Sequence, residues 1–261
     1  MKVRQVLDAL EQYAPLPLQD GFDNAGLQIG LTEEQEVTRV LLCLDVTEAI
    51  IDEAADLGCN LIIAHHPLLF HGLKSFTGKS YVERCVVKAI RKGIAIYAAH
   101  TNMDNALQGV NYRIAQKIGM SNLQFLEEKN TPIQGGAGVI GELPVAEDAL
   151  HFMERIKTTF GIQCLRHNGL HDKKIKRIAL CGGAGGFMFS QAIAQQADAF
   201  LTGEMRYHDY FGHENDLLIA EMGHYESEQY TIELFEEILH EQFPLIDTVK
   251  TSLNTNPIKY L

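Results

Sequence analysis

The chain has 261 residues, 46% of them hydrophobic, with 22 Lys plus Arg against 34 Asp plus Glu and a formal net charge of −12 at pH 7. At about 150 residues per domain this is one large domain or two small ones, with enough apolar content to exclude intrinsic disorder. The negative balance argues against broad nucleic-acid or anionic-membrane binding, because both need a positive field, but it leaves room for a small phosphorylated substrate held by local cations or a metal.

The spacing of Val3, Val6, Leu7, Leu10 and Tyr13 predicts a helix over 3–13, ended by Pro15 and Pro17. TRVLLCL at 38–44 is the near-continuous apolar run of a strand buried on both faces. Thr47 can cap a helix reaching Leu57, with Gly58 as its stop. The strand LIIA at 61–64 follows, then a helix over 80–92 stopped by Gly93, the strand IAIYAA at 94–99 and a helix over 108–118. The polar stretch 121–137, with Pro132, Gly135 and Gly136, reads as a linker. The rhythm then resumes with a helix over 146–159, a strand near 163–166, another at 175–181 and a glycine turn opening a helix at 187–196. Strand 198–202, helix 205–211, strand 217–221, a long helix 226–242 and a short strand near 245–249 complete it. Such alternation predicts an α/β protein with mostly parallel sheets flanked by helices. The expected domains are 1–125 and 126–225, with the C-terminal segment 226–261 a candidate to complete the first.

No run approaches the roughly 18 apolar residues of a membrane span, and the first 14 residues lack the unbroken apolar stretch of a signal peptide. Five scattered cysteines without a CxxC predict neither a disulfide framework nor a thiolate zinc site. A reduced, cytoplasmic protein is the expectation.

Three polar clusters lie at the ends of predicted strands, where open α/β sheets bind ligands. His65-His66-Pro67 follows LIIA. Neighbouring side chains in extended backbone point apart, so this pair reaches one metal through a turn or two metals side by side, or else is a pair of loop histidines. His100-Thr101-Asn102-Met103-Asp104 follows IAIYAA. Asp104 is a candidate oxygen ligand, and His100 is either a ligand or a donor beside the site; the alternative is a local turn made by Asn102. Gly223-His224-Tyr225-Glu226-Ser227-Glu228 follows LLIAE, and on a helix His224 and Glu228 share a face. There the alternative is a helix start with acidic residues that complement its dipole. Together, three histidines and two carboxylates suit Zn, Mn, Fe or Co, and five donors exceed the needs of a single open tetrahedral site but serve a two-metal centre economically. The glycine run 181–186 is neither a Walker loop nor a full GxGxxG and reads as a tight turn. Arg206 and His208 are weaker candidates to line a pocket. Asp23-Asn24-Ala25-Gly26 reads as a turn, and Asp45-Val46-Thr47 as a strand end running into a helix cap.

These clusters, in this order and with DNAGLQIG at 23–30, ADAFLTGEMRYHD at 197–209 and NTNPIKYL at 254–261, resemble the Nif-three-like family. Its bacterial members are often labelled type-two GTP cyclohydrolase I homologues. The resemblance runs nearly end to end. It implies two related α/β domains, a dimetal site in the cleft between them and a ring-shaped homohexamer. It assigns His65, His66, Asp104, His224 and Glu228 as ligands of two divalent transition-metal ions, with Glu228 bridging and His100 beside the site. The implied activity is hydrolytic opening of the guanine imidazole ring of GTP, a metal-bound hydroxide attacking C8, although such a centre serves phosphoesters or amides equally well. The competing reading is a non-enzymatic metal-binding protein, regulatory, scaffolding or metal-delivering. DNA threading through a ring is disfavoured by the charge. Where many relatives carry Trp before the first motif, this chain has Phe22, a change of packing rather than chemistry.

Overall fold

The runs VLLC, LIIA and AIYA are apolar throughout, and each is buried along its whole length, the behaviour of parallel strands covered on both faces. They form the centre of the first of two units in a computed structural model that describes residues 1–30, 35–169, 172–213 and 216–261. This unit comprises Met1–Met103 and Thr231–Pro257. It contains helix α1 (Val3–Tyr13), strands β1 (Gly26–Ile29) and β2 (Val40–Cys43), helix α2 (Glu48–Asp56), β3 (Leu61–Ala64), α3 (Tyr81–Lys92) and β4 (Ala95–Ala98). A short helix α4 (Thr101–Asp104) leads out of it. The chain comes back as a returning helix, Thr231–Gln242, and a returning strand, Thr248–Lys250.

The sheet order is β1-β4-β3-β2-returning strand. All neighbours are parallel except β1, which runs antiparallel to β4 with Gly26 opposite Ala98. The cap chemistry matches the sequence: Thr47 accepts from the Ile50 amide, Ser80 accepts from the Glu83 amide, and Gly93 ends α3. Ile50, Ile51 and Ala54 of α2 and Cys85, Val86 and Ala89 of α3 pack with Leu41, Cys43, Ile62, Ala64 and Ile96 of the sheet. Burying such a layer is the main stabilising term, at roughly 25 cal/mol per Å² of apolar surface.

The second unit comprises Asp104–Tyr230 and Ile258–Leu261. Its elements are α5 (Val110–Lys117), β5 (Ser121–Glu128), β6 (Gly136–Asp148), α6 (Ala149–Phe160), β7 (Arg166–His167), β8 (Lys174–Cys181), α7 (Phe189–Ala194), β9 (Ala199–Thr202), β10 (Leu218–Glu221) and α8 (His224–Glu228). The sheet order is β5-β6-β8-β9-β10-β7. Strands β8, β9 and β10 are parallel, while β5, β6 and β7 join antiparallel.

Three local expectations change. The stretch 121–137 is not a linker but β5 and the start of β6. Gly136 and Gly141 lie against β5 so closely that a Cβ at either position would stand 2.5–2.7 Å from its backbone carbonyls, so glycines that read as breakers are there for close strand approach. The long helix 226–242 is two helices, parted at Gln229 and Tyr230, whose side chains donate to the Phe160 and Thr159 carbonyls at the end of α6. Residues 207–210 form a 3-10 turn rather than a helix over 205–211. Among the described residues no helix is long and apolar enough to cross a membrane. All five cysteines are free, and four of them are buried.

Candidate metal centre

In the first unit the carboxyl ends of three adjacent parallel strands deliver Asp45 (after β2), His65 and His66 (after β3) and His100 (after β4). Because β1 runs the other way, its start brings Asp23 to the same edge. The ring centroids of His65, His66 and His100 are 4.9, 5.3 and 5.6 Å apart, and each ring offers a nitrogen within 4.8 Å of those of the other two.

What fixes these rings is the partner of each Nδ1. His65, fully buried, donates Nδ1–H to the Ala99 carbonyl at 2.8 Å. His66 holds Asp45 Oδ1 at 2.7 Å and His100 holds Asp23 Oδ1 at 2.7 Å. A carbonyl or carboxylate oxygen only accepts, so Nδ1 carries the proton in all three, and the neutral ring keeps its lone pair on Nε2. That is how proteins present histidine to a metal. Burial pushes the Asp45 carboxyl up, but hydrogen bonds from His66 and Thr255 outweigh it and the group ends below its usual range. Burial also acts on Asp23, and hydrogen bonds from His100 and Thr101 overcome it, bringing the carboxyl down to about 2.

Asp23 therefore makes a pH prediction. Its folded carboxyl releases a proton more readily than the same group in the unfolded chain, whose usual value is 3.8. Its stabilising contribution, about 2 kcal/mol, is complete above roughly pH 4 and drains away as the pH falls toward 2. Urea unfolding of metal-stripped protein between pH 3 and 6 should show Asp23→Asn weaker at pH 6 and less sensitive to acid than the wild type. Parallel curves would refute this.

In the second unit, α8 starts directly after β10 and Gly223. Its His224 and Glu228 share a face, with Nε2 to Oε2 at 3.1 Å, and Glu228 is buried. His224 Nδ1 faces Glu204 Oε1 at 2.9 Å, repeating the arrangement of the first unit. Asp104 precedes α5 and brings a carboxylate oxygen within 4.8 Å of one of Glu228. The glycine turn after β8 forms the floor. Gly182 N donates to Asn111 Oδ1 at 2.9 Å and Gly183 N donates to Ser227 Oγ at 3.0 Å. A Cβ on Gly183, whose φ is +56°, would stand 2.1 Å from Glu228 Oε1 and 3.4 Å from His224 Nε2. The turn is thus shaped around a carboxylate and an imidazole. The three imidazoles of the first unit, and the imidazole with two carboxylates of the second, are each donor types that suit a borderline divalent transition metal better than calcium or magnesium.

The sequence pointed to His65, His66, His100, Asp104, His224 and Glu228. It missed Asp23, Asp45 and Glu204, which hold three of the rings. Asp45 had a usable signal, standing at the end of a third predicted parallel strand. Asp23 had none, because its place depends on antiparallel pairing of β1 with a strand some 70 residues later.

The sequence model of the family described as Duf34/NIF3 (NGG1p interacting factor 3) matches residues 1–257. The chain belongs to the NIF3 family. It is 35% identical over 231 residues to a Clostridium perfringens protein named "GTP cyclohydrolase 1 type 2 homolog", with 87% of each chain covered. It is 31% identical over 264 residues to the Campylobacter jejuni protein of the same name, with both chains fully covered. The crystal structure of Staphylococcus aureus protein SA1388 superposes with a TM-score of 0.90 at 29% identity, covering 100% of this chain and 99% of that one. Two sheets flanked by helices are thus the NIF3 architecture, and the His and Glu groups described above are candidate metal binders within it.

Proposed function

We propose that this NIF3 protein is a cytoplasmic, dimetal-dependent hydrolase acting on a nucleotide or another small molecule. His65, His66, Asp104, His224 and Glu228 would hold two divalent transition-metal ions, zinc, manganese, iron or cobalt. Such ions supply Lewis acidity and an activated water near neutral pH. Glu228, buried against the glycine turn, would be the ligand that the two ions share. The chain's own groups do the rest. The Ala99 carbonyl, Asp45 and Glu204 engage Nδ1 of His65, His66 and His224, which leaves Nε2 as the nitrogen that would coordinate. His100, braced at Nδ1 by Asp23, offers Nε2 as a proton donor or acceptor for the substrate. The observation that carries this reading is the uniform Nδ1 anchoring of the histidines. The names of the Clostridium perfringens and Campylobacter jejuni relatives make GTP the first substrate to try. The oligomer we propose is the homohexamer that the sequence resemblance implies. A cytoplasmic home suits five free thiols.

Elemental analysis of protein purified without added metal or chelator tests the centre. The expected result is about two transition-metal ions per chain, falling sharply in Glu228→Ala and His65→Ala. Protein that holds no metal, and takes up none on titration with zinc or manganese, would overturn it. A metal-replete protein that hydrolyses neither GTP nor other nucleotides, phosphoesters or amides, yet passes its metal to an acceptor, would replace catalysis with metal delivery.

A further inference from the structure

The segment after the returning strand is stitched to the first unit at two points. Thr251 and Ser252 bond to Glu53 of α2, with Ser252 Oγ donating to Oε1 at 2.6 Å and its amide at 2.8 Å. Three residues on, Thr255 Oγ1 lies 2.6 Å from Asp45 Oδ2. Asp45 uses its other oxygen, Oδ1, for His66 Nδ1 at 2.7 Å. Since a carboxylate only accepts, the Thr255 hydroxyl donates, and a continuous relay runs Thr255 Oγ1–H to Asp45 to His66. The same design recurs beside it, where Thr101 Oγ1 donates to Asp23 Oδ2 at 2.5 Å while Asp23 Oδ1 holds His100. Thr101 is adjacent to the histidine it serves. Thr255 is brought from the far end of the chain.

We propose that Thr255 is a positioning residue for His66, fixing the rotation of the Asp45 carboxylate and through it the direction of His66 Nε2. Asp45 is about one-third exposed at its side chain, so packing alone leaves it free to turn. Its two oxygens are equivalent until one is claimed, and the Thr255 hydroxyl claims Oδ2, which leaves Oδ1 aimed at the imidazole. The inference rests on the proposed metal-binding role of His66. Partners of ligating histidines typically contribute 10–100-fold in metal affinity, and a group one bond further out belongs at the low end of that range.

The test is cobalt(II) binding by the full chain, read as the d–d absorption spectrum and as affinity in competition with a chelator. Thr255→Val keeps the shape and removes the hydroxyl. It should shift the spectrum and weaken cobalt binding about tenfold, while circular dichroism and the thermal midpoint stay close to the wild type. Thr255→Ser restores a hydroxyl and should restore both readouts. Ser252→Ala loosens the tail at Glu53 without touching the relay and should leave the spectrum unchanged. A wild-type spectrum and affinity in Thr255→Val would overturn the inference while the metal centre stands. So would an equal shift in Ser252→Ala, which would make tail anchoring the cause. A wild-type protein that binds no cobalt would overturn the metal-binding reading and this inference with it.

Discussion

Gly183→Ala is expected to cost the protein both stability and metal. Gly183 sits at φ +56°, where an L side chain adds roughly 1–2 kcal/mol of strain. The new Cβ would also stand 2.1 Å from Glu228 Oε1, a separation that no packing adjustment of a methyl group can absorb. The turn cannot retreat, because its amide is tied to Ser227 Oγ and its carbonyl accepts from the Glu204 amide at 2.8 Å. Glu228 must therefore swing away and leave the imidazole of His224. A loss of about 2–4 kcal/mol is expected, combining strain with a displaced buried carboxylate. Gly58→Ala is the matched control. Its φ is +74°, but nothing lies within 4 Å of the added Cβ, so only the strain remains and metal uptake should be normal. Urea unfolding and metal titration of the two variants, side by side, separate collision from backbone strain. Equal behaviour in both assays would show that the glycine turn is not fitted to Glu228.

Asn102→Ala should be the most damaging substitution in the HTNMD segment for folding, although Asn102 is no ligand. Its side chain is fully buried. Oδ1 accepts from the His100 amide at 2.9 Å, and Nδ2 donates to the Ala14 carbonyl at 2.7 Å, pinning the end of α1 to the end of β4. Removing the amide leaves two buried backbone groups without those partners, each costing roughly 1–3 kcal/mol. The expected loss is about 2–4 kcal/mol by urea denaturation. Asn102→Asp should fare no better, because a carboxylate cannot donate to Ala14 and would be a buried charge. A loss below 1 kcal/mol in Asn102→Ala would show that water satisfies both groups.

The elements that the sequence made legible are those with strong local signals. VLLC, LIIA and AIYA announce buried strands by uniform apolarity, and Thr47 and Gly93 mark helix ends by their own chemistry. The strand ends then placed every candidate ligand. What stayed hidden depends on partners distant in sequence. β6 reads as loop because its glycines answer to β5, not to their neighbours. Asp23 looks like an ordinary turn residue until β4 brings His100 alongside, and Thr255 carries no signal of its own until β2 and β3 bring Asp45 and His66 together. Asn102, offered only as an alternative local turn former, spends its donor on Ala14, 88 residues away.

The first unit is interrupted: its sheet begins before Met103 and is completed only after Thr231. During synthesis, roughly 130 intervening residues must emerge first, which takes on the order of ten seconds at ribosomal speed. Through that interval β2 has an open edge, and the face that the returning helix will cover is exposed to solvent. The histidines that follow β3 are made early, but Thr255 lies some 190 residues further along the chain, so a nascent chain carries His66 before it carries the hydroxyl that bonds to Asp45. A chain that stops before Thr231 would leave that apolar face uncovered, and would carry His66 and Asp45 without the hydroxyl of Thr255.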